Sequence, residues 1–211
     1  MSSIFWVVAA FLAGALPLAY WLGQVALGVD IRAYGDGNPG AANVFRAGGK
    51  GWGSLAILLE FLKGTLPVGL AHYVGGLAGW PLVLVSLAPI LGHAYSPFLG
   101  WRGGKALAVT FGVWCGLSLY VVPLVLGLAF AVWLAVLVVE GWAVLLGMLT
   151  LAVFFLGAPP PWEWWAVWTG SLLLFVWKHR ADFARSPRLD RGILGRWLHH
   201  NQPIDKPRHG A

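Results

Sequence analysis

Between Ala106 and Leu156 the chain carries one charged side chain, Glu140. A tract of that length holds at least two bilayer spans of roughly 20 residues each. Apolar residues also dominate Ile4 to Leu27, Ser54 to Leu91 and Glu163 to Trp177. Of the 211 residues only 10% are charged and 59% are hydrophobic, whereas a soluble domain carries roughly 25% charge. So little charge cannot cover a water-facing surface. The reading is an all-α integral membrane protein, a single multi-pass domain over residues 1–211. Ser2 and Ser3 lead straight into apolar residues, so the first stretch is expected to be a retained helix rather than a signal peptide. Cys115 is the only cysteine; it excludes an internal disulfide and reads as a small apolar residue.

The placement of lysine and arginine sets the topology. Of 14 basic residues, Arg32, Arg46 and Lys50 lie in a first polar insert, Asp30 to Gly53. Arg102 and Lys105 lie in a second, Gly92 to Lys105. Lys178, Arg180, Arg185, Arg188, Arg191, Arg196, Lys206 and Arg208 lie in a tail from Lys178 to Ala211. The positive-inside rule puts all three segments, about 28–53, 92–105 and 178–211, in the cytoplasm. That requires three spans in the long tract, with breaks near Ser118 and Glu140–Gly141. It also requires two in Ser54 to Leu91, with a break near Val74 to Trp80. The expectation is about seven transmembrane helices, with the N-terminus outside and the C-terminus inside. Tryptophans near the expected helix ends (Trp6, Trp52, Trp80, Trp101, Trp142, Trp162, Trp164, Trp165) fit a headgroup-level aromatic belt.

The polar segments share one chemistry. The first contains Gly35-Asp36-Gly37-Asn38-Pro39-Gly40-Ala41-Ala42-Asn43-Val44-Phe45-Arg46. Its glycines let backbone N–H groups approach a ligand and form an anion-binding nest, and Arg46 adds a guanidinium fork suited to phosphate. An ordinary Gly-rich loop is the alternative. The second runs from Gly92-His93 to Arg102-Gly103-Gly104-Lys105. Glycines, a lysine and a helix N-terminus together make a phosphate grip, although a Walker A pattern is absent and a basic flank to a span would look similar. The tail opens with Lys178-His179-Arg180-Ala181-Asp182. Here His179 is either a proton carrier or anchor for a phosphate-bearing ligand, or part of a snorkelling cap. Glu60 and Lys63 are charges inside a span, three residues apart on one helix face. They serve either a structural pair or a functional site, and Gly64, Thr65 and Pro67 are expected to kink the helix there. Three segments that each bring a phosphate-type group to one membrane face indicate an enzyme acting on phosphate-bearing substrates at the inner leaflet. A small-anion transporter would need polar groups through the spans, and Glu60 and Lys63 are nearly alone there.

The Gly35-to-Arg46 loop, Glu60-x-x-Lys63-Gly64, Gly92-His93 through Gly103-Gly104-Lys105, and His179-Arg180 resemble, in order and spacing, the motifs of the bacterial acyl-phosphate-dependent glycerol-3-phosphate acyltransferases. The resemblance covers most of the chain. It implies a seven-helix enzyme of the bacterial plasma membrane, its active site facing the cytoplasm. Such an enzyme moves a fatty acyl group from acyl phosphate to the 1-hydroxyl of glycerol 3-phosphate. Neither a cofactor nor a metal nor a nucleic-acid partner is implied, and the oligomeric state is left open. By the resemblance, Asp36, Lys105 and His179 are the catalytic candidates. Gly35, Gly37, Asn38, Gly40, Asn43, Arg46, Lys63, His93, Gly103, Gly104, Arg180 and Asp182 are the substrate- and phosphate-binding candidates. The family usually has Ser at the position of Asp36, Thr at Ala42, Asn at Asp182 and Asp at Glu60. Two added carboxylates repel a phosphate unless cations compensate. Asp36 would then be a general base offset by Arg46 and Lys105, or else the acceptor differs, or the chain is a non-catalytic relative that binds a lipid phosphate.

Overall fold

The computed structural model describes residues 2–189; the tail beyond, with Arg191, Arg196, Lys206 and Arg208, lies outside the described residues. Helices occupy every stretch expected to be apolar and buried in lipid. In chain order they are α1 (Ser3–Ala15), α2 (Leu18–Leu27), α3 (Ala41–Gly69), α4 (Gly79–Ala94), α5 (Leu107–Ser118), α6 (Val121–Val136), α7 (Glu140–Gly157), α8 (Trp162–Lys178) and the single turn α9 (Arg180–Phe183). Among the described residues four stretches, Ser3–Leu27, Ala41–Val74, Gly79–Leu99 and Glu140–Gly157, are long and apolar enough by length and composition to cross a membrane. Large side chains such as Val25 (88% exposed) and Val74 (77%) stand on the outside of the bundle, which is where lipid would solvate them. α5 and α6 are shorter: the 12 residues of α5 reach about 18 Å at 1.5 Å per residue, well under the ~30 Å hydrocarbon core.

Close backbone contact at small residues joins the helices, as expected where lipid supplies no hydrophobic drive between them. A Cβ at Gly14 of α1 would collide with the backbone of Pro89 in α4, and one at Gly92 of α4 with the Phe11 carbonyl. Likewise Gly64 of α3 lies against the Val109 carbonyl of α5, and Gly112 against that of Phe61. Around these seams Trp114, Leu126, Met148, Leu151, Phe155 and Phe175 form one buried core. Trp80 and Trp162, at the starts of α4 and α8, meet edge to face at 5.0 Å, consistent with a belt. Trp164 and Trp165 instead turn inward and pack against Phe155.

Two local expectations are corrected. The first apolar stretch is two helices, because Pro17 has no N–H to give and the backbone breaks at Leu16–Pro17. The expected kink at Gly64–Pro67 is absent as a break. α3 runs on through Pro67 into a π turn at Leu70–Val74, and its one non-helical residue is Gly49 (φ 75°, ψ −167°). Only glycine adopts that backbone freely. The bend separates a short helix, Ala41 to Gly48, from the long one, so part of the first polar insert is helical.

Candidate functional site

The break in the first helix leaves the Ala19 N–H without a backbone acceptor and the Leu16 carbonyl with only the Leu18 N–H (3.0 Å), and two charged residues answer them. Lys63 Nζ donates to the Leu16 carbonyl at 2.7 Å, and the Ala19 N–H donates to Glu60 Oε1 at 3.0 Å. Glu60 Oε2 lies 2.6 Å from Lys63 Nζ and 2.9 Å from His93 Nδ1. Glu60 is 1% exposed and Lys63 6%, so this pair is structural. Lys63 was expected to bind phosphate, but its ammonium is buried on Glu60 and Leu16 and lines neither cavity described below. His93 also works from behind: it holds Glu60, and its carbonyl accepts from the Gly104 N–H at 3.1 Å. Side chains at Gly103 or Gly104 would strike His93, so the two glycines are required for that loop to lie flat on α4. Lys178 fixes the loop from the other side, donating to the carbonyls of Ala94 (2.9 Å) and Gly103 (3.1 Å).

The loop so held delivers Lys105 to the meeting point of the three segments. Its Nζ lies 3.1 Å from Asp36 Oδ2 and 2.6 Å from Glu140 Oε2 at the start of α7. Asp36 accepts from the Asn38 N–H (3.2 Å) and from Asn43 Nδ2 (3.3 Å). Asn43, fully buried, also donates to the Asn38 carbonyl (2.8 Å) and accepts from Arg46 Nη1 at 2.6 Å. Gly35 has φ +56°, and a Cβ there would run into Asn43 and Arg46; glycine leaves the space those side chains fill. Gly37 (φ +73°) turns the chain back toward Asn38. Gly40 is the N-cap of α3 and shapes the loop without lining a cavity.

Two open cavities flank this cluster and share Asp36 and Lys105. The larger, about 780 Å³, is also lined by Arg46, Glu140, Asp182, Arg185 and Arg188. The smaller, about 290 Å³, is lined by Gly37, Asn38, Arg102, Gly103, Gly104, Lys178 and Arg180. Burial acts to raise the Asp36 carboxyl, but the Lys105 hydrogen bond, the Asn38 N–H and the nearby Lys105 and Arg46 charges outweigh it and hold the group below its usual range. Burial acts to lower Lys105, and its bonds to Glu140 and Asp36 reverse that and raise it. His179, 1% exposed, donates from Nδ1 to the Phe175 carbonyl at 3.0 Å. Burial, aided by the Lys105 charge, lowers its pKa against the opposing pull of Phe175, Glu140 and Asp182.

The structure therefore brings together Asp36, Asn38, Asn43, Arg46, Gly103, Gly104, Lys105, Arg180 and Asp182, and sets Lys63 and His93 behind them. Sequence reasoning missed Glu140, which marked only a helix break there. A lone carboxylate in a long apolar tract is a functional signal by itself. Lys178, Arg185 and Arg188 were lost in the general basicity of the tail.

A helical membrane protein that gathers cations, buried amides and Gly-rich loops from three segments at one end of its bundle is built to hold phosphate groups beside lipid. The family model described as glycerol-3-phosphate acyltransferase matches residues 4–188, and the chain belongs to that family. A glycerol-3-phosphate acyltransferase of Aquifex aeolicus is 34% identical over 190 residues, covering 88% of this chain and 95% of that one. One of Deinococcus radiodurans is 41% identical over 179 residues, covering 83% and 87%. A crystal structure of PlsY, an integral membrane glycerol 3-phosphate acyltransferase, in its glycerol 3-phosphate form has a TM-score of 0.81 at 30% identity, covering 94% of this chain and all (100%) of that one. The lysophosphatidic acid form has a TM-score of 0.78 at 32% identity, covering 88% and 91%.

Proposed function

We propose that this protein transfers a fatty acyl group from acyl phosphate to the 1-hydroxyl of glycerol 3-phosphate, releasing lysophosphatidic acid and inorganic phosphate. The observation that carries the reading is Lys105, whose ammonium stands between two cavities lined by other cations, room for two phosphate-bearing molecules side by side. The acceptor oxygen attacks the acyl carbon and the carbon–oxygen bond to phosphate breaks. The phosphate leaves with the electron pair, and the hydroxyl proton ends on it. No protein nucleophile is required; placement and neutralisation of the leaving charge supply the rate. Lys105 and Arg46 would neutralise the phosphates, and His179 would orient the acceptor. Asp36 is a poor general base in this reading, because Lys105 and Asn43 engage its carboxylate and its pKa is lowered. Its part is to hold the loop together, accepting from the Asn38 N–H and from Asn43 Nδ2. The site would face the cytoplasm across a seven-span topology in the bacterial plasma membrane, a placement that rests on the positive-inside rule.

The test is phosphate release from acyl phosphate by the purified protein in lipid, with and without glycerol 3-phosphate. Release that depends on glycerol 3-phosphate and fails in Lys105→Ala supports the reading. Release independent of the acceptor, or none at any acceptor concentration, overturns it.

A further inference from the structure

At the edge of the larger cavity, which Glu140 and Asp182 line, three side chains of metal-ligand type converge. An imidazole nitrogen of His179 and one carboxylate oxygen each from Glu140 and Asp182 lie within 4.8 Å of one another. His179 is 1% exposed. A carbonyl can only accept, so Nδ1 carries the proton that it gives to Phe175, and Nε2 is left with its lone pair. That nitrogen is buried without a partner, and so is Asp182 Oδ2. Unpaired buried polar atoms are costly, and two of them in one three-residue cluster are a ligand-shaped feature. Gly141 makes the cluster possible: a Cβ there would meet Asp182 and His179, so glycine lets α9 close onto the start of α7.

We propose that Glu140, His179 and Asp182 form a divalent metal site. The set is two carboxylates and one neutral imidazole, with a formal charge of −2 that one divalent ion cancels. Two oxygens and one nitrogen suit a first-row ion of the Mn²⁺ or Zn²⁺ kind better than Ca²⁺ or Mg²⁺, which prefer oxygen alone. Lys105 occupies Glu140 Oε2, and the second carboxylate oxygen remains for the ion. Three protein ligands leave coordination positions open toward the cavity. Anionic oxygens of the acceptor's phosphate would complete the shell, so that His179 would orient the acceptor through the ion rather than by direct contact. The ion would offset the Glu140 and Asp182 carboxylates in a cavity that Arg46, Lys105, Arg185 and Arg188 already line. The inference rests on the acyltransfer reading only for the identity of that phosphate; the ion site stands on its own geometry.

The experiment uses the purified full chain in detergent, stripped with EDTA and titrated with Mn²⁺ while the free-ion signal is followed by electron paramagnetic resonance. One Mn²⁺ per chain is expected, displaced by Zn²⁺. Even changes outside the ligand shell cost roughly 10–100-fold in affinity, so Asp182→Asn and Glu140→Gln are each expected to weaken binding by at least about tenfold. Both keep side-chain shape, and their melts in EDTA report whether they fold. Absence of saturable binding, or binding unchanged in two folded variants, overturns the proposal. Acyl transfer by a protein that binds no ion would sink the metal site and leave the function standing. Stoichiometric binding without acyl transfer would do the reverse.

Discussion

Two lysine–glutamate pairs in this protein have the same length and opposite surroundings. Lys63 lies 2.6 Å from Glu60, and Lys105 lies 2.6 Å from Glu140. The side chains of the first pair are 3% and 2% exposed, those of the second 22% and 42%. Around the first, the Leu16 carbonyl, the Ala19 N–H and one histidine complete the set. Around the second, an extra carboxylate, two cavities and an unpartnered imidazole nitrogen remain. Distance alone therefore does not separate a structural ion pair from a working one. What separates them is whether anything is left over for a ligand.

The largest effect is expected in the closed pair. Removing one partner leaves an uncompensated buried charge, which costs about 3–5 kcal/mol. Glu60→Ala or Lys63→Ala should lower the thermal midpoint sharply and reduce the folded yield, with activity lost only in step with the folded fraction. If either variant melts like the wild type and loses activity alone, the structural assignment is wrong and Lys63 returns to the site.

Lys105→Ala should behave in the opposite way. Its carboxylate partners are partly solvated, so the fold should tolerate the change. Loss of a charge aimed at the leaving phosphate should lower kcat by about 10²–10³, the size of one preorganised electrostatic contact. The deficit should also be flat with pH. Asp36 has a lowered pKa, so its contribution is complete above the unfolded value of 3.8 and fades only as pH falls through the folded one. Lys105 has a raised pKa, so its contribution is complete below 10.5 and fades only as pH rises through the folded value. The ratio of wild-type to Lys105→Ala rates, measured between about pH 7 and 9, above the second phosphate pKa of about 6, should hold constant; a ratio that changes steeply in that window breaks the pairing.

The contrast between the pairs also marks what the sequence could tell. Apolar length and basic flanks announced the helices, and the breaks near Ser118 and Glu140 fall within a few residues of the observed ones at Leu119–Tyr120 and Leu137–Val139. Arg46, Lys105 and His179 were legible because each sits in a polar motif. Three features were not legible. The break at Pro17 takes its partners from Glu60 and Lys63, more than forty residues away. The Gly14–Pro89 and Gly64–Val109 approaches depend on which faces meet. Glu140 joins Lys105 through space across two helices. Each is a tertiary event with no local periodicity to announce it.

Asp36→Asn gives a smaller effect that refines the open pair. Asparagine keeps an oxygen for the Asn38 and Asn43 donors, so the loop should hold. The charge beside the phosphate site disappears, and Lys105 becomes freer to serve the ligand. With the Asp36 side chain 43% exposed, solvent screening limits the change to roughly 0.5–1 kcal/mol. The expectation is a KM for glycerol 3-phosphate about threefold lower with kcat nearly unchanged. A large fall in kcat would instead make Asp36 the general base that its lowered pKa argues against.

The smallest effect belongs to a third pair, Asp30–Arg32, which lies at 2.7 Å with side chains 42% and 46% exposed. By distance it matches the other two, yet water screens it and it lines neither of the two cavities described. Asp30 also caps the short turn Ile31–Ala33, accepting from the Arg32 N–H at 2.9 Å. Asn caps about as well as Asp, so Asp30→Asn removes the charge and keeps the cap. Neither the melting profile nor the rate of acyl transfer should change measurably. If Asp30→Asn slowed the reaction as Lys105→Ala does, exposure and unsatisfied neighbours would no longer tell working pairs from idle ones, and the first polar insert would have to reach the substrate through Arg32 as well as Arg46.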